Sequence, residues 1–506
     1  MNQDETQAAV AAHFAPGARR IDTQGAIVFL KGDAAIKIRR AIRLPFLDYS
    51  TLDKRRAAAQ AEIALNRATA PDIYLDAAPI RKTGDGFGFE GDGEIVEWAT
   101  RMRRFDEEAT LDRLAARGEL RRETIHALAK AIHAMHARAE VRAAEPAIAS
   151  MRQWIAQNAQ AFAQQPDLFP ADAAAELATA AHAALERAAP LLRARSAVGF
   201  IRRCHGDLHL GNIALIEGRP TPFDAIEFDD SIATGDILYD LAFAVMDLWE
   251  RDLRGHAHLL LNVYLSLGEA ESYSALSPLP LFLSLRAAIR AKVEAGALNR
   301  VGEGERERTE KSARRYFDFA CAFLVPQPAR LVAVGGLSGT GKSALAAALG
   351  PEIGAAPGAV WLRSDVERKH LFGVDEATPL PDAAYGAEAS GETYARLLDK
   401  ARRALQAGAS ALIDATHAHA RERAAAAALA AEVGAPFVGL WLDAPLATRL
   451  ARVAARRGDA SDADARVARG QRAAPLVEPG WRALDASGDL AATRAHARVA
   501  SRRNAS

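Results

Sequence analysis

The feature that most constrains the fold of this 506-residue chain is the stretch GGLSGTGKS, which ends at Ser343. It satisfies the pattern G-x-x-x-x-G-K-[ST] with Gly336, Gly341, Lys342 and Ser343. An apolar run, RLVAVGG, precedes the pattern and a helix-forming run follows it, which is the strand, loop and helix context of a phosphate-binding loop. An ordinary glycine-rich turn is the alternative, and this context disfavours it.

A phosphate-binding loop needs glycines because its backbone N–H groups converge on phosphate oxygens at a helix N-terminus, where side chains would obstruct close approach. Lys342 is predicted to reach the β- and γ-phosphates of ATP, and the Ser343 hydroxyl is predicted to bind Mg²⁺. The remaining loop positions expected to contact the nucleotide are Leu337, Ser338, Gly339 and Thr340.

The organisation of the chain indicates more than one domain, because a single core rarely serves a chain of this length. Pro326 and Pro328 separate a helix-like segment from the strand before the loop, which predicts a boundary near residue 325. Beyond it, the apolar runs LVAVGG, AVWLRSD, SALIDAT and PFVGLWLDAP alternate with helical sequence. We therefore predict a domain of residues 325–506 with the α/β class and a parallel sheet.

Two carboxylates follow strands of this predicted sheet, at the edge where open α/β folds bind ligands. Asp365 is predicted to accept a proton from an acceptor hydroxyl, and Arg368, one turn later, to hold an anionic group of that acceptor. Asp414 ends the run SALID and is predicted to hold Mg²⁺ directly or through water. For both aspartates, capping of a following helix is the alternative.

Three arginines, Arg449, Arg452 and Arg456, share one helical face at spacings of three and four residues. The loop GDASDAD, between two arginine-rich helices, is typical of a lid, so Arg452 and Arg456 are predicted to contact phosphates. A solvated basic face is the alternative.

The region before residue 325 has strand-like patterns from about residue 20 to 100 and helical periodicity from about 101 to 324. Within it lies CHGDLHLGN, followed by TPFDAIEFDD. Asp207, Asn212 and Asp224 have the spacing at which kinase-like enzymes place an acceptor-orienting aspartate and two metal ligands. We therefore predict a second ATP and Mg²⁺ site here. A polar loop of unrelated turns is the alternative.

Charge and cysteine content exclude several classes of function. Lys and Arg number 64 and Asp and Glu number 64, so net charge indicates neither a nucleic-acid nor a membrane partner. Cys204 and Cys321 are far apart, which supports neither a disulfide framework nor a zinc site. With no signal-peptide pattern or long apolar run, we expect a cytoplasmic protein. Its oligomeric state is not predicted.

Residues 330–500 resemble the small P-loop kinases that include gluconate kinase, chloramphenicol phosphotransferase, zeta toxins and the kinase domain of polynucleotide kinases. In that family the aspartate after the second strand is the general base and lid arginines contact the transferred phosphoryl group. The resemblance implies these roles for Asp365 and the arginines, and leaves the acceptor open.

Residues 20–320, through H-G-D-L-H-x-x-N and F-D-A-I-E, resemble the aminoglycoside phosphotransferase and choline kinase branch of the protein-kinase-like fold. The resemblance implies a two-lobed α+β domain over residues 1–324, in which Lys37 contacts the α- and β-phosphates and pairs with Glu62. A solvated strand lysine and a solvated helix face are the alternatives. The resemblance also implies that GEIVEWATRMRR, residues 93–104, is the hinge, with the backbone near residues 97–99 contacting adenine. The sequence departs from the kinase pattern because no G-x-G-x-x-G is present and Gly206 replaces the Arg of H-R-D.

The order of the two regions resembles bacterial proteins described as bifunctional aminoglycoside phosphotransferase and ATP-binding proteins. It implies a bifunctional enzyme that uses ATP and Mg²⁺ and transfers the γ-phosphate to hydroxyl groups of small molecules, once in each domain. Two alternatives stay open. One is a nucleotide-gated regulator whose P-loop domain hydrolyses ATP and whose upstream domain binds a ligand. The other is a toxin-like nucleotide-sugar kinase.

Overall fold

The computed structural model describes residues 3–502 except 24, 45, 46, 85, 299–301 and 456–459. The chain divides into two compact units, one of residues 1–154 and 192–247 and the other of residues 155–191 and 248–506. Within the described ranges, no helix combines the length and the apolar character needed to cross a bilayer.

Twelve named strands belong to the first unit. They are β1 (Arg19–Asp22), β2 (Ala26–Lys31), β3 (Ala34–Arg39), β4 (Arg43–Leu44), β5 (Leu47–Asp48), β6 (Tyr74–Thr83), β7 (Gly86–Gly88), β8 (Ile95–Arg103), β9 (Ile201–Arg203), β10 (Ile213–Ile216), β11 (Arg219–Pro222) and β12 (Thr234–Asp236).

The helices up to residue 250 are α1 (Gln3–Phe14), α2 (Leu52–Asn66), α3 (Leu111–Ala116), α4 (Arg122–Arg138), α5 (Ala144–Ala163), α6 (Ala171–Ala197), α7 (Asp230–Ala233) and α8 (Ile237–Glu250). Short 3₁₀ helices cover Glu107–Ala109 and Leu210–Asn212.

The strands of the second unit are β13 (Leu331–Gly336), β14 (Val360–Arg363), β15 (Ala411–Asp414), β16 (Phe437–Asp443) and β17 (Trp481–Asp485). Its further helices are α9 (Arg254–Leu267), α10 (Leu279–Ala297), α11 (Glu303–Phe323), α12 (Lys342–Leu349), α13 (Ser364–Leu371), α14 (Ala387–Gln406), α15 (Ala420–Glu432), α16 (Leu446–Ala455), α17 (Ala465–Gly470) and α18 (Leu490–Arg502). Short 3₁₀ helices cover Ala270–Leu276, Gly350–Glu352 and Asp382–Tyr385.

The first unit contains the predicted small lobe, an antiparallel sheet of six strands in the order β1-β2-β3-β8-β6-β7. Helix α2 begins after Thr51, whose hydroxyl accepts from the Lys54 backbone N–H at 3.3 Å. It packs on β6 and β8. Val10 and Ala11 of α1 are buried beside Phe29, Ile38 and Ile80 of the sheet. The sequence did not predict α1, because its apolar positions are mostly alanines.

Residues 97–99, implied to contact adenine from the hinge, fall inside a strand. These residues lie inside β8, where they pair with β6, and Ala99 also pairs with Ile38 of β3. The Trp98 N–H donates to Glu97 Oε1 at 2.8 Å. Strand β8 continues to Arg103.

The second unit contains the predicted parallel sheet, with five strands in the order β14-β15-β13-β16-β17. Strand β13 is central and leads directly into the glycine-rich loop. The buried side chains of Val332, Val334, Leu412 and Leu440 form the core beneath the helices. The fold is thus a kinase-like α+β domain followed by an α/β P-loop domain. Strand β17 is an addition to the four strands expected from the sequence.

Candidate functional sites

Lys37 lies at the centre of the first constellation. Its ammonium Nζ is 2.6 Å from Glu62 Oε1 and 2.9 Å from Asp224 Oδ1. The Lys37 side chain is 18% exposed and the Glu62 side chain is fully buried. Neither residue is on a solvated face, and three positions predicted from separate parts of the sequence are brought together.

The environment of Glu62 holds its carboxylate ionised. Burial alone would raise the pKa of Glu62, but the charges of Lys37 and Arg39 and a hydrogen bond from Thr100 lower it to about 2. Arg39 Nη2 is 2.7 Å from Glu62 Oε2 and 2.8 Å from Glu227 Oε1. Arg39 and Glu227 were missed, although Arg39 shares the strand face of Lys37 by its spacing of two.

The backbone at Asp224 has a left-handed conformation, with φ of 61°. Its N–H donates to the Tyr74 hydroxyl at 3.0 Å, and the next N–H, of Ala225, donates to Asn66 Oδ1 at 2.8 Å. These partners maintain a backbone conformation that is uncommon outside glycine. Asn66 was missed, yet it follows Glu62 by one helical turn and therefore lies on the same face of α2.

Asp207 and Asn212 are also in contact. Asn212 Nδ2 donates to Asp207 Oδ2 and to the Asp207 backbone oxygen, both at 3.0 Å. The Asp207 carboxylate is 40% exposed. Because the amide nitrogen of Asn212 is engaged with Asp207, its oxygen Oδ1 is the atom suited to a cation.

Buried side chains fix the loop that carries Asp207. Asp240 accepts from the backbone N–H groups of His205 at 3.3 Å and Gly206 at 2.8 Å. His205 Nε2 lies 2.9 Å from the Phe223 carbonyl, and burial lowers the pKa of His205, so a neutral ring that donates from Nε2 fits this position. The loop is thereby tied to the residue preceding Asp224.

Among the described residues, His136, Cys204 and Asp240 form a buried group whose potential metal-ligand atoms lie within 4.8 Å of one another. The Cys204 thiol is oriented to donate to the carbonyls of Arg202 and Gly235, and Asp240 accepts from the loop backbone. We interpret the group as a support of the loop.

The second constellation surrounds a cavity of about 1020 Å³ at the carboxyl edge of the parallel sheet. The lining includes every loop residue from Ser338 to Ser343. Gly336 and Leu337 begin the loop at the end of β13. Gly339 has φ of 84°, and a Cβ atom there would lie 2.4 Å from the Arg449 carbonyl oxygen. Only glycine fits this approach of the loop to α16.

Lys342, Ser343 and Asp414 share the cavity wall. Burial raises the pKa of Asp414, while Arg363, Lys342 and a hydrogen bond from Ser343 act against that rise. Asp414 is the last residue of β15, as the sequence predicted. The Ser343 hydroxyl therefore lies within hydrogen-bond reach of the Asp414 carboxylate.

Asp365 and Arg368 lie in α13 and line the same cavity. The N-cap position of α13 is Arg363, so Asp365 lies inside the first turn and is not the N-cap residue. The Arg368 side chain is buried, Nη1 donates to the Ala384 carbonyl at 2.7 Å, and Nε has no hydrogen-bond partner among the described residues.

Arg452 lines the cavity, but its guanidinium contacts backbone carbonyls. Nη1 donates to Thr340 at 3.3 Å and Ala486 at 2.8 Å, and Nη2 donates to Gly488 at 2.7 Å. It thus ties the loop to the segment after β17. Arg456, predicted to act beside it, lies outside the described residues.

Several residues that line the cavity or contact its lining were missed by sequence reasoning. Gln471 accepts from the Ser338 N–H at 2.7 Å through Oε1. Asp462 contacts Lys369 Nζ at 2.8 Å and the Tyr385 hydroxyl at 2.6 Å. Trp361 Nε1 donates to Asp414 Oδ2 at 3.3 Å. No spacing rule links these pairs, because their members are far apart in the chain.

Both constellations have donor sets that fit a hard divalent cation such as Mg²⁺, since all the donors are oxygens. In the first unit they are the oxygens of Asn212 and Asp224, and the Asp224 carboxylate is 45% exposed. In the second they are the oxygens of Ser343 and Asp414.

Two family models match separate parts of the chain. The family model described as phosphotransferase enzyme family matches residues 50–276. The model described as AAA domain matches residues 331–475. Each match contains most of one constellation. Residues 50–276 contain Glu62, Asp207 and Asp224. Residues 331–475 contain the whole glycine-rich loop.

Similarity to individual proteins extends over most of the chain. An uncharacterized protein of Mycobacterium tuberculosis is 29% identical over 457 residues, or 88% of this chain and 88% of that protein. A sugar kinase of Janibacter is 22% identical over 35% of this chain and 96% of its own, with a TM-score of 0.28. An ethanolamine kinase of Plasmodium vivax is 11% identical over 62% and 85%, with a TM-score of 0.37. The two matches, to the phosphotransferase enzyme family over residues 50–276 and to an AAA domain over residues 331–475, indicate a kinase-type enzyme.

Proposed function

We propose that this protein is a bifunctional phosphotransferase that uses ATP and Mg²⁺ and phosphorylates hydroxyl groups of small molecules, with one site in residues 1–324 and one in residues 325–506. The observation that carries the proposal is the presence, in each compact unit, of a lysine suited to phosphate close to a carboxylate suited to a metal ion. These pairs are Lys37 with Asp224 and Lys342 with Asp414.

In the upstream site, Lys37 contacts the α- and β-phosphates, and Glu62 fixes the direction of its ammonium group. Asn212 and Asp224 hold the metal ion, which neutralises charge on the phosphates when bound. Asp207 orients the acceptor hydroxyl and accepts its proton. Two observations support this role: partial exposure leaves the carboxylate accessible to an acceptor, and the hydrogen bond from Asn212 keeps it next to a metal ligand.

In the P-loop site, the loop N–H groups and Lys342 bind the phosphates, while Ser343 and Asp414 hold the metal ion. Asp365 accepts the proton of the acceptor hydroxyl. Arg368 binds an anionic group of the acceptor. The position of Arg368 in the cavity wall, beside Asp365, supports this role.

The upstream site can be tested by Lys37→Met in a Lys342→Ala background, with ATP binding measured by calorimetry. Losing a charge-assisted phosphate contact should weaken binding about ten- to hundred-fold. Lys31→Met is the matched control, because Lys31 is an exposed lysine of the adjacent strand. If Lys37→Met binds ATP as tightly as the control does, the proposed upstream site is wrong.

A further inference from the structure

Strand β14 forms one edge of the parallel sheet and leads into α13, which carries Asp365. An edge strand has backbone groups that no neighbouring strand satisfies. Here the partners come from α9. His258 Nε2 lies 2.9 Å from the Ala359 carbonyl oxygen, Asn262 Nδ2 donates to that oxygen at 3.3 Å, and the Trp361 N–H donates to Asn262 Oδ1 at 2.6 Å.

These hydrogen bonds are buried, since His258 is 1% exposed and Asn262 is 7% exposed. A buried backbone group without a hydrogen-bond partner destabilises the fold, so α9 completes this edge of the sheet. Helix α9 belongs to residues 50–276, which match the phosphotransferase enzyme family, whereas β14 belongs to the P-loop domain. Both lie in the second compact unit.

Trp361 extends the contact from α9 to the P-loop site. Its indole Nε1 donates to Asp414 Oδ2 at 3.3 Å, and the Arg363 guanidinium lies over its ring at 5.0 Å. Arg363 Nε is itself 3.9 Å from Asp414 Oδ2. Asn262 therefore holds the backbone of Trp361, and the Trp361 ring nitrogen contacts the Asp414 carboxylate.

We propose that Asn262 and Trp361 are positioning residues for Asp414, so that a helix of the upstream family domain sets the geometry of the metal site in the P-loop domain. Asn262 fixes the backbone of Trp361, and the indole N–H directs the Asp414 carboxylate toward Ser343. The inference rests on the metal role of Asp414 given above. Partners of metal ligands of this kind typically change metal affinity about 10- to 100-fold when they are removed.

The test is calorimetric titration of the full chain with ADP at increasing MgCl₂, in an Asp224→Ala background that removes the upstream metal ligand. The measured quantity is the Mg²⁺ concentration at which half of the Mg²⁺-dependent gain in ADP affinity is reached. Trp361→Phe retains an aromatic ring but loses the N–H donor, and we expect a rise of about tenfold. Asn262→Leu should give a similar rise, and ADP affinity without Mg²⁺ should be unchanged in both.

Trp441→Phe is the matched control, because Trp441 lies in the same sheet and its ring contacts Arg423. Melting curves check that each variant is folded. If Asn262→Leu does not fold, the Trp361→Phe result alone tests the proposal. If Trp361→Phe behaves like the control while Asp414→Asn raises the required Mg²⁺, the positioning role is wrong and the proposed function stands. If Asp414→Asn itself has no effect, the metal role of Asp414 is wrong and the positioning role falls with it.

Discussion

At the residue scale, burial of the His417 side chain costs free energy of folding in the second unit. Its side chain is 1% exposed, its backbone φ is 48°, and neither ring nitrogen has a hydrogen-bond partner among the described residues. Burial, together with the charges of Lys342 and Arg423, lowers the pKa of His417 to about 3. The ring is therefore neutral in the folded protein at neutral pH, where it packs against Trp481 and Tyr394.

This lowered pKa predicts acid sensitivity. An unfolded histidine binds a proton below about pH 6.5, but the folded one does so only near pH 3, so stability falls as pH decreases through that window by up to ~1.4 kcal/mol per pH unit. His417→Asn retains a residue type that tolerates positive φ and removes the titration. The variant should show a smaller drop in melting temperature between about pH 6.5 and pH 5 than the wild type. Exposed His182→Asn should keep the wild-type drop, and an unchanged drop in His417→Asn would contradict the account.

Individual residues also show how much of the candidate sites could be predicted from the sequence. Lys37 and Glu62 followed from a family resemblance, and the structure brings them within 2.6 Å. Asn66 could have been predicted, because it lies one helical turn after Glu62. Trp361 and Asn262 were not, because they are 99 positions apart and only the tertiary fold makes them neighbours.

At the scale of elements, hydrophobic patterning predicted strands β13 to β16. It missed β17, because only Trp481 and Leu484 of that strand are buried and the pattern is short. The stretch GEIVEWATRMRR, implied as a hinge, forms most of β8, because a long strand and the connection that follows it have no boundary signal there.

The contact between the glycine-rich loop and α16 gives an element-scale prediction. Gly339→Ala places a Cβ 2.4 Å from the Arg449 carbonyl oxygen, so the loop or the helix must move and ATP binding at the P-loop site should weaken at least about tenfold. Gly373→Ala is the control, because Gly373 also has positive φ, at 66°, but no atom lies within 4 Å of its Cβ. Calorimetry in a Lys37→Met background measures the effect, and equal affinities in the two variants would show that the close approach does not matter.

At the scale of the whole molecule, the two sites are separate constellations in separate compact units. The residues predicted as acceptor-activating groups, Asp207 and Asp365, belong to different units and different family matches. If each site has its own acceptor, removing one carboxylate should leave the products of the other site in place.

The most direct test of this central claim is the pattern of labelled products formed from γ-labelled ATP and a metabolite extract. Asp207→Asn should remove one set of phosphorylated products and Asp365→Asn a different set. Asp443→Asn, at the exposed end of neighbouring strand β16 and outside the cavity lining, should remove neither. Two distinct sets of lost products are the result that the account predicts. Loss of the same products in both variants, or label released only as inorganic phosphate by the wild type, would contradict it.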